Sequence, residues 1–227
     1  MNKIKALYFA SENKRLRYGD EREIVVGETH IVDCAPKCCK AGLHASKRAI
    51  DALGYAPGCM LYLVELSGDF DENSDKVAAT HRKYLAEFDA TELLREFSRR
   101  QALININKAE QYFSSEEDFN IVLDWLNTGN LDLRESAESA AWSAAESAAW
   151  SAAWSAARSA AWSAARSAAW SAAESAAWSA ARSAAESAAE LAAELAAESA
   201  ARSAANNMLC EMIESKTGWN LGFAKDE

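Results

Sequence analysis

The feature that most constrains this chain is a tetrad repeat, Ser-Ala-Ala-Xaa, which runs with few departures from Ser136 to Ala205. Alanine is the strongest helix former, and serine, glutamate and arginine are tolerated in helices. No glycine or proline interrupts the repeat. The composition therefore predicts a helical segment of about 70 residues, which as one helix would extend about 105 Å.

The large side chains of the repeat lie four residues apart, and this spacing decides where they point. Four helical residues turn through about 400°, so the row drifts by roughly 40° per tetrad around the helix. The tryptophans therefore cannot share one face of a single helix, and we expect the row to mediate self-association or partner docking through crossed i±4 ridges. The aromatic and basic residues expected in that interface are Trp142, Trp150, Trp154, Arg158, Trp162, Arg166, Trp170, Trp178 and Arg182.

A low-complexity helical spacer is the alternative interpretation of the repeat, and it stays open. A membrane-spanning segment is disfavoured, because spanning needs about 20 apolar residues. The longest charge-free interval, Ser147 to Ala157, is much shorter than that. We therefore predict a rod or a set of crossed helices with no membrane partner.

The residues outside the repeat predict an α+β head and a short tail. We expect four segments: a head over 1–104, a helical connector over 105–135, the repeat over 136–205 and a tail over 206–227. Apolar runs predict strands at Ile4–Ala10, Cys59–Leu66 and around His81–Leu85, and Ile24–Val26 and Thr29–Val32 predict a second strand or a hairpin around Gly27. Helical periodicity and capping signals predict helices at Ala45–Leu53, Thr91–Leu103, Ser115–Asn127 and Met208–Ile213.

Four local expectations accompany these elements. Cys59–Leu66 is almost continuously apolar, which predicts a central strand covered on both faces, with Glu65 as its exception. Ser46 is expected to cap the following helix. Ser67 to Asp75 is expected to form an acidic solvated loop, and Gly218 to Glu227 is expected to fray.

Charge and cysteine content indicate where such a chain works. The net charge of −10 disfavours binding to nucleic-acid phosphates, although it leaves open mimicry of a nucleic acid by the acidic surface. The five cysteines, an odd number, follow an N-terminus without a secretory signal, which is typical of a reducing compartment. We therefore expect a cytoplasmic protein.

A cluster of reactive residue types occupies the middle of the head: His30, Cys34, Cys38, Cys39 and His44. Thiolates and imidazoles are ligands that zinc prefers, but this spacing matches no established zinc motif. We favour buried, unligated cysteines with a hydrogen-bonded histidine and assign no metal or cofactor, with structural zinc as the alternative.

The head also resembles a family of uncharacterised bacteriophage and prophage proteins. The segments that carry the resemblance are Cys39-Lys-Ala-Gly42-Leu43-His44-Ala45, Val64-Glu65-Leu66-Ser67-Gly68, Asp75-Lys76-Val77-Ala78 and Leu85 to Leu94. Members of this family often carry Ala-rich helical repeats after the head, and similar repeats occur in chains described as immunity proteins. The resemblance implies a phage context inside a bacterial host cell, and it implies no particular chemistry.

A second resemblance concerns ADP-ribosyltransferases of the poly-ADP-ribose polymerase type. The order of Gly42-Leu43-His44-Ala45-Ser46, a helix, and the strand Leu61 to Gly68 is similar to their nicotinamide-pocket segment. His44 stands where that family has a stacking tyrosine, and no counterpart of its first-strand histidine or catalytic glutamate is evident. The resemblance implies a ligand pocket that includes His44, Ser46 and Glu65.

These observations predict a binding protein rather than an enzyme. We expect the head to bind a host protein, such as a defence component, and the helical repeat to make a homo-oligomer. The alternative is a degenerate ADP-ribosyltransferase-like enzyme that uses the region of His44.

Overall fold

The structure, a computed structural model, describes residues 3–148 and 197–226. The chain divides into two compact units. The first, here called the head unit, comprises Met1–Phe97 and Ala200–Glu227. The second, here called the helical unit, comprises Ser98–Ser199.

The head unit is built on one antiparallel sheet of five strands: β1 (Ile4–Ala10), β2 (Thr29–Ile31), β3 (Leu43–Ala45), β4 (Met60–Glu72) and β5 (Val77–Asp89). The strand order is β1-β4-β5-β2, and β3 pairs with β5. Strand β4 is therefore central, as its continuous apolarity predicts. Cross-strand pairs join Tyr62 of β4 to Tyr8 on one side and Glu87 on the other.

Both faces of the sheet are covered, because the strands direct apolar side chains to each face. Leu7, Phe9 and Leu61 pack on one face against α1 (Ala49–Gly54), the start of α2 (Thr91–Ala109) and the helix at 197–217. Ala6, Tyr62 and Tyr84 point to the other face. That face is covered largely by the irregular segment between β1 and β3, through residues such as Leu16, Ile24 and Leu43.

The C-terminal residues belong to the head core. Leu209 and Ile213 of the helix at 197–217 are fully buried, and so is Leu221 in the segment that follows. The amide of Asn206, also fully buried, donates to the carbonyl of Ala224 and accepts from the backbone N–H of Ile50. The expectation that Gly218–Glu227 frays is therefore wrong, because this segment supplies apolar side chains that the sheet must cover.

Most predicted elements are confirmed, and two further local expectations are wrong. Ser46 does not cap a helix: its backbone pairs with Leu7, and α1 begins at Ala49 after the N-cap residue Arg48. The predicted acidic loop is instead the second half of β4, which pairs with β5 up to Glu72. Of the two alternatives around Gly27, the strand is observed as β2, and Ile24–Val26 forms no strand of a hairpin with it.

The helical unit contains α3 (Glu116–Thr128), short 3₁₀ turns at Glu110–Tyr112 and Leu131–Leu133, and a helix over 134–148. Ser115 caps α3 by accepting from the N–H of Asp118 at 3.1 Å, as predicted. Val122 and Leu126 of α3 pack with Ala137 and Ala140 of the repeat.

The described parts of the repeat, up to residue 148 and from residue 197, are helical. The sheet and helices of the head unit confirm the predicted α+β head. The choice between a rod and crossed helices for the repeat lies outside the described residues. No helix among the described residues is long and apolar enough to cross a membrane.

Candidate functional site

The head unit contains a cavity of about 680 Å³, which is lined by residues of β1, the segment after it, β3 and the region of α1. Volumes of this order hold small organic ligands in other proteins. The side chains that line the cavity and matter for its chemistry are Tyr8, Tyr18, His44, Ser46, Tyr55, Lys76 and Arg82. The long strand β5, the short strand β3 and the segment after β1 bring these residues together.

Arg82 is the central polar group of this site. Its residue is only 2% exposed, although it carries a permanent charge. Its Nε and Nη2 donate to the hydroxyl of Tyr84 at 3.0 and 2.8 Å, and its Nη1 donates to the carbonyl of His44 at 2.6 Å. The guanidinium also lies 3.8 Å from the ring centroid of Tyr8, a cation–π contact.

The partners of Arg82 are all formally neutral. Among the residues that the structure describes, no carboxylate forms an ion pair with it. Buried charges in proteins are usually paired, because removing an ion from water costs several kcal/mol. The positive charge of Arg82 is therefore spread over dipoles and π faces rather than cancelled.

The Tyr84 hydroxyl extends this network to His30. The hydroxyl oxygen lies 3.0 Å from Nδ1 of His30, and the two rings pack edge to face. Burial, reinforced by the nearby charges of Arg22 and Arg82, lowers the pKa of His30 below its ordinary value. His30 is therefore neutral at pH 7, which avoids placing a second cation beside Arg82.

His44 lies on β3 at the wall of the cavity. Its Nε2 accepts from the backbone N–H of Cys39 at 3.2 Å, which fixes Nε2 as the unprotonated nitrogen. Burial lowers the pKa of His44, and the neighbouring charges of Lys76 and Arg82 act in the same direction. The imidazole is therefore a neutral group at pH 7 and is suited to hydrogen bonding rather than to charge pairing.

Lys76 and Tyr55 form a second polar pair at the cavity. The Lys76 ammonium lies 3.8 Å from the Tyr55 ring centroid, and the Tyr55 hydroxyl donates to Asp75. The interaction with Tyr55, with a smaller contribution from Cys39, raises the pKa of Lys76. Lys76 is therefore fully charged at neutral pH.

The cysteines do not assemble a metal centre in the part of the chain that the structure describes, since no group of three or more His, Cys, Asp or Glu is placed to hold an ion. Cys34 and Cys39 are exposed, so the prediction that the cysteines of this cluster are buried is wrong for these two. Cys38 is half-buried, and its thiol donates to the Asp71 carbonyl at 3.2 Å. Burial is the main cause of its raised pKa.

The structure separates the residues that the sequence pattern groups into one pocket. His44 and Ser46 line the cavity, whereas Glu65 lies elsewhere on β4 and pairs with Lys3 at 2.8 Å. Sequence analysis missed Arg82 and Tyr84. They lie two residues apart and therefore share one face of β5, but only the structure shows that this face is buried.

Of the predicted interaction residues, Trp142 lies in the described part of the chain and is 78% exposed. The others lie outside the described residues: Trp150, Trp154, Arg158, Trp162, Arg166, Trp170, Trp178 and Arg182.

Comparison with known families gives one match. Residues 16–96 match a family described as a domain of unknown function (DUF7666). The matched segment contains His30, His44, Lys76, Arg82 and Tyr84, so the polar network of the cavity falls within the region of similarity. No curated protein and no solved structure matches the chain.

Proposed function

We propose that this protein is a non-enzymatic interaction protein of phage or prophage origin. In this proposal the head binds a protein of the bacterial host, and the Trp/Arg/Glu row of the repeat binds a second copy of the chain. The observation that carries the proposal comes from the helix at 134–148, where alanines are buried and the large side chain of Trp142 is exposed.

Three alanines that follow a serine in the helix at 134–148 are buried in the helical unit: Ala137, Ala140 and Ala144 are 1%, 8% and 5% exposed. Ala137 and Ala140 pack with Val122 and Leu126 of α3, so this seam of the helix contacts its own unit. At about 100° per residue, Trp142 points roughly 165° away from the mean direction of this seam. Its indole is accordingly 78% exposed.

Along 134–148 the small-residue seam is thus already packed within the chain, whereas the large side chain of Trp142 is left for another surface. Burying one indole contributes on the order of 2–3 kcal/mol, so six tryptophans in the repeat supply a strong driving force for association. Because each copy presents the same ridge with both Arg and Glu in it, a second copy offers complementary charge as well as apolar surface.

Sedimentation equilibrium tests this proposal. We expect the wild-type chain, of 24.7 kDa, to sediment as a defined multiple of that mass. Trp142→Glu should weaken association, and replacing all six repeat tryptophans by glutamine should give a monomer. Leu131→Glu is the matched control, because Leu131 is 77% exposed in the same unit but precedes the repeat. A wild-type chain that stays monomeric at high concentration would contradict the proposal.

Binding of the head to a host protein is tested by affinity capture from bacterial lysate with the full chain, followed by binding measurements with the purified candidate. The six-glutamine variant separates the two parts of the proposal. We expect it to lose self-association and to keep the affinity of the head for its partner. A captured protein that binds only through the repeat would contradict the assignment of partner binding to the head.

A second candidate function, an ADP-ribosyltransferase-like activity, is favoured by the position of His44 and Ser46 on a cavity large enough for a nucleotide portion. β1 contains no histidine, in keeping with the missing counterpart noted in the sequence. Calorimetry with NAD, together with target labelling by wild type and His44→Ala, tests this candidate. Absence of both binding and labelling would exclude it.

A further inference from the structure

We infer that the head cavity binds a small organic anion, a carboxylate or phosphate group attached to a planar ring, with Arg82 as its charge partner. This inference goes beyond the proposed function, because it concerns a ligand of the head and depends neither on self-association nor on group transfer.

The charge of Arg82 has no carboxylate partner among the residues that the structure describes. The Arg82 residue is only 2% exposed, and a buried charge is costly unless an anion or an equivalent set of hydrogen bonds compensates it. Its protein partners, the Tyr84 hydroxyl and the His44 carbonyl, carry no formal charge. A bound anion would supply the missing countercharge.

Arg82 also has N–H donors that its protein partners do not use. A guanidinium has five N–H groups, and the bonds to Tyr84 and His44 use one on each of its three nitrogens. Two N–H groups on the Nη atoms therefore remain, and Arg82 belongs to the lining of the cavity. Carboxylates and phosphates are the anions whose oxygens match such a fork.

The wall of the cavity carries more positive than negative side chains. Besides Arg82, the wall contains the cations Arg17, Lys40 and Lys76 and a single acid, Asp20. Asp20 is already neutralised by Arg22, whose Nε and Nη2 lie 2.5 and 2.7 Å from its oxygens. A locally positive wall in a chain of net charge −10 favours an anionic ligand over a cationic or neutral one.

Aromatic side chains in the cavity indicate what the anionic group is attached to. Three tyrosines, Tyr8, Tyr18 and Tyr55, line the same cavity, and its volume of about 680 Å³ exceeds what a free inorganic ion needs. Aromatic side chains bind planar rings by stacking or edge-to-face packing. The combination of tyrosines and cations therefore fits a ring that carries an anionic group.

Calorimetry at fixed ionic strength with two matched pairs of probes tests the inference. The pairs are adenosine 5′-monophosphate against adenosine, for phosphate, and benzoate against benzamide, for carboxylate. We expect the anionic member of at least one pair to bind at least about tenfold more tightly than its neutral analogue, as a charge-assisted hydrogen-bond pair implies. The pair that responds identifies which anion the site takes.

Substitutions then locate the site. Arg82→Lys keeps the charge but removes the fork, and we expect it to weaken binding of the responding anion about tenfold or more. Lys83→Gln is the matched control, since Lys83 is the exposed neighbour on the same strand, and it should change the affinity less than about twofold. If Arg82→Lys does not fold, the double variant Lys40→Gln/Lys76→Gln decides, with an expected loss of about threefold to tenfold.

Three results would overturn the inference. The first is the absence of binding by both anions up to about 10 mM. The second is equal affinity for the anionic and neutral member of each pair. The third is an unchanged affinity in the folded Arg82→Lys variant or, where that variant does not fold, in the double lysine variant.

Discussion

Nη2 of Arg202 lies 2.7 Å from Oδ1 of Asp51, so the last arginine of the repeat is bound to the first helix of the head. The Asp51 side chain is 2% exposed, and Arg48 approaches its other oxygen at 3.9 Å. A buried carboxylate between two arginines holds α1 against the helix at 197–217. The end of the repeat is therefore part of the head fold rather than an appendage to it.

Asp51→Ala should destabilise the head, because it leaves Arg48 and Arg202 without their shared partner. Both arginines are partly exposed and can be rehydrated, so we expect a loss of about 1–3 kcal/mol in the free energy of unfolding. Urea denaturation measures it. Asp69→Ala removes an exposed carboxylate from the same unit and serves as control. Equal unfolding midpoints for the two variants would contradict the structural role of Asp51.

Leu221→Ala should be more damaging, because Leu221 is fully buried in the core that the sheet shares with the C-terminal helix. Truncating a buried leucine removes apolar contact and leaves a cavity, so we expect a loss of about 2–5 kcal/mol. Leu131→Ala, at a leucine that is 77% exposed, should cost less than about 0.5 kcal/mol. Thermal and urea unfolding of both variants measure the difference, and equal small losses would show that the tail is not part of the core.

The role of the tail illustrates what the sequence could not reveal. Local patterns predict β1, the central position of β4, and the capping of α3 by Ser115, since each depends on neighbouring residues. Burial of Leu221 depends on a sheet more than a hundred residues earlier in the chain. Its short glycine-containing segment has no periodicity of its own, so a local interpretation predicts fraying.

Acidification should destabilise the head through His30. Burial and the charges of Arg22 and Arg82 lower the pKa of His30, so below about pH 6.5 the unfolded chain binds more protons than the folded one. Stability therefore decreases as the pH falls through this value, until the folded-state pKa is passed. The pKa of His44 is lowered in the same direction.

Urea unfolding between pH 8 and pH 5.5 tests this dependence, in a range above the titration of the carboxylates. His30→Gln should be less stable at pH 8, because the Tyr84 hydroxyl loses its contact with the His30 imidazole, but its stability should fall less steeply with acidification. Lys83→Gln should retain the wild-type slope. Identical slopes for wild type and His30→Gln would contradict a lowered pKa at this position.

The candidate site was predicted only in part for a related reason. His44 and Ser46 stand out in the sequence because they follow a glycine and resemble a pocket motif. Arg82 gives no such local signal, since a charged residue in a strand is usually solvated. Its burial follows from its neighbours in the sheet, which are Tyr84 two residues along β5, His30 on β2 and Tyr8 on β1.

Gly68→Ala should disturb the irregular pairing between β4 and β5. Gly68 has a φ of +87°, and an added Cβ would lie 2.0 Å from Oγ1 of Thr80. Both the backbone conformation and the contact oppose a side chain there, so we expect a loss of about 1–3 kcal/mol. Gly54→Ala, at the end of α1 with no atom within 4 Å of the added Cβ, should be neutral or slightly stabilising. Unfolding free energies of the two variants check the contrast, and equal effects would contradict it.

Thiol labelling should distinguish the cysteines by exposure. Cys34 and Cys39 are exposed, whereas Cys210 is buried and its pKa is raised to about 11, chiefly by that burial. Because the thiolate is the reactive form, the raised pKa alone slows alkylation at pH 8 by about two orders of magnitude relative to an ordinary thiol. Iodoacetamide treatment followed by peptide mass spectrometry should therefore detect early modification at Cys34 and Cys39 and none at Cys210, whereas all five thiols should react in urea. Equally fast labelling of Cys210 in the folded protein would show that the helix at 197–217 is not packed on the sheet.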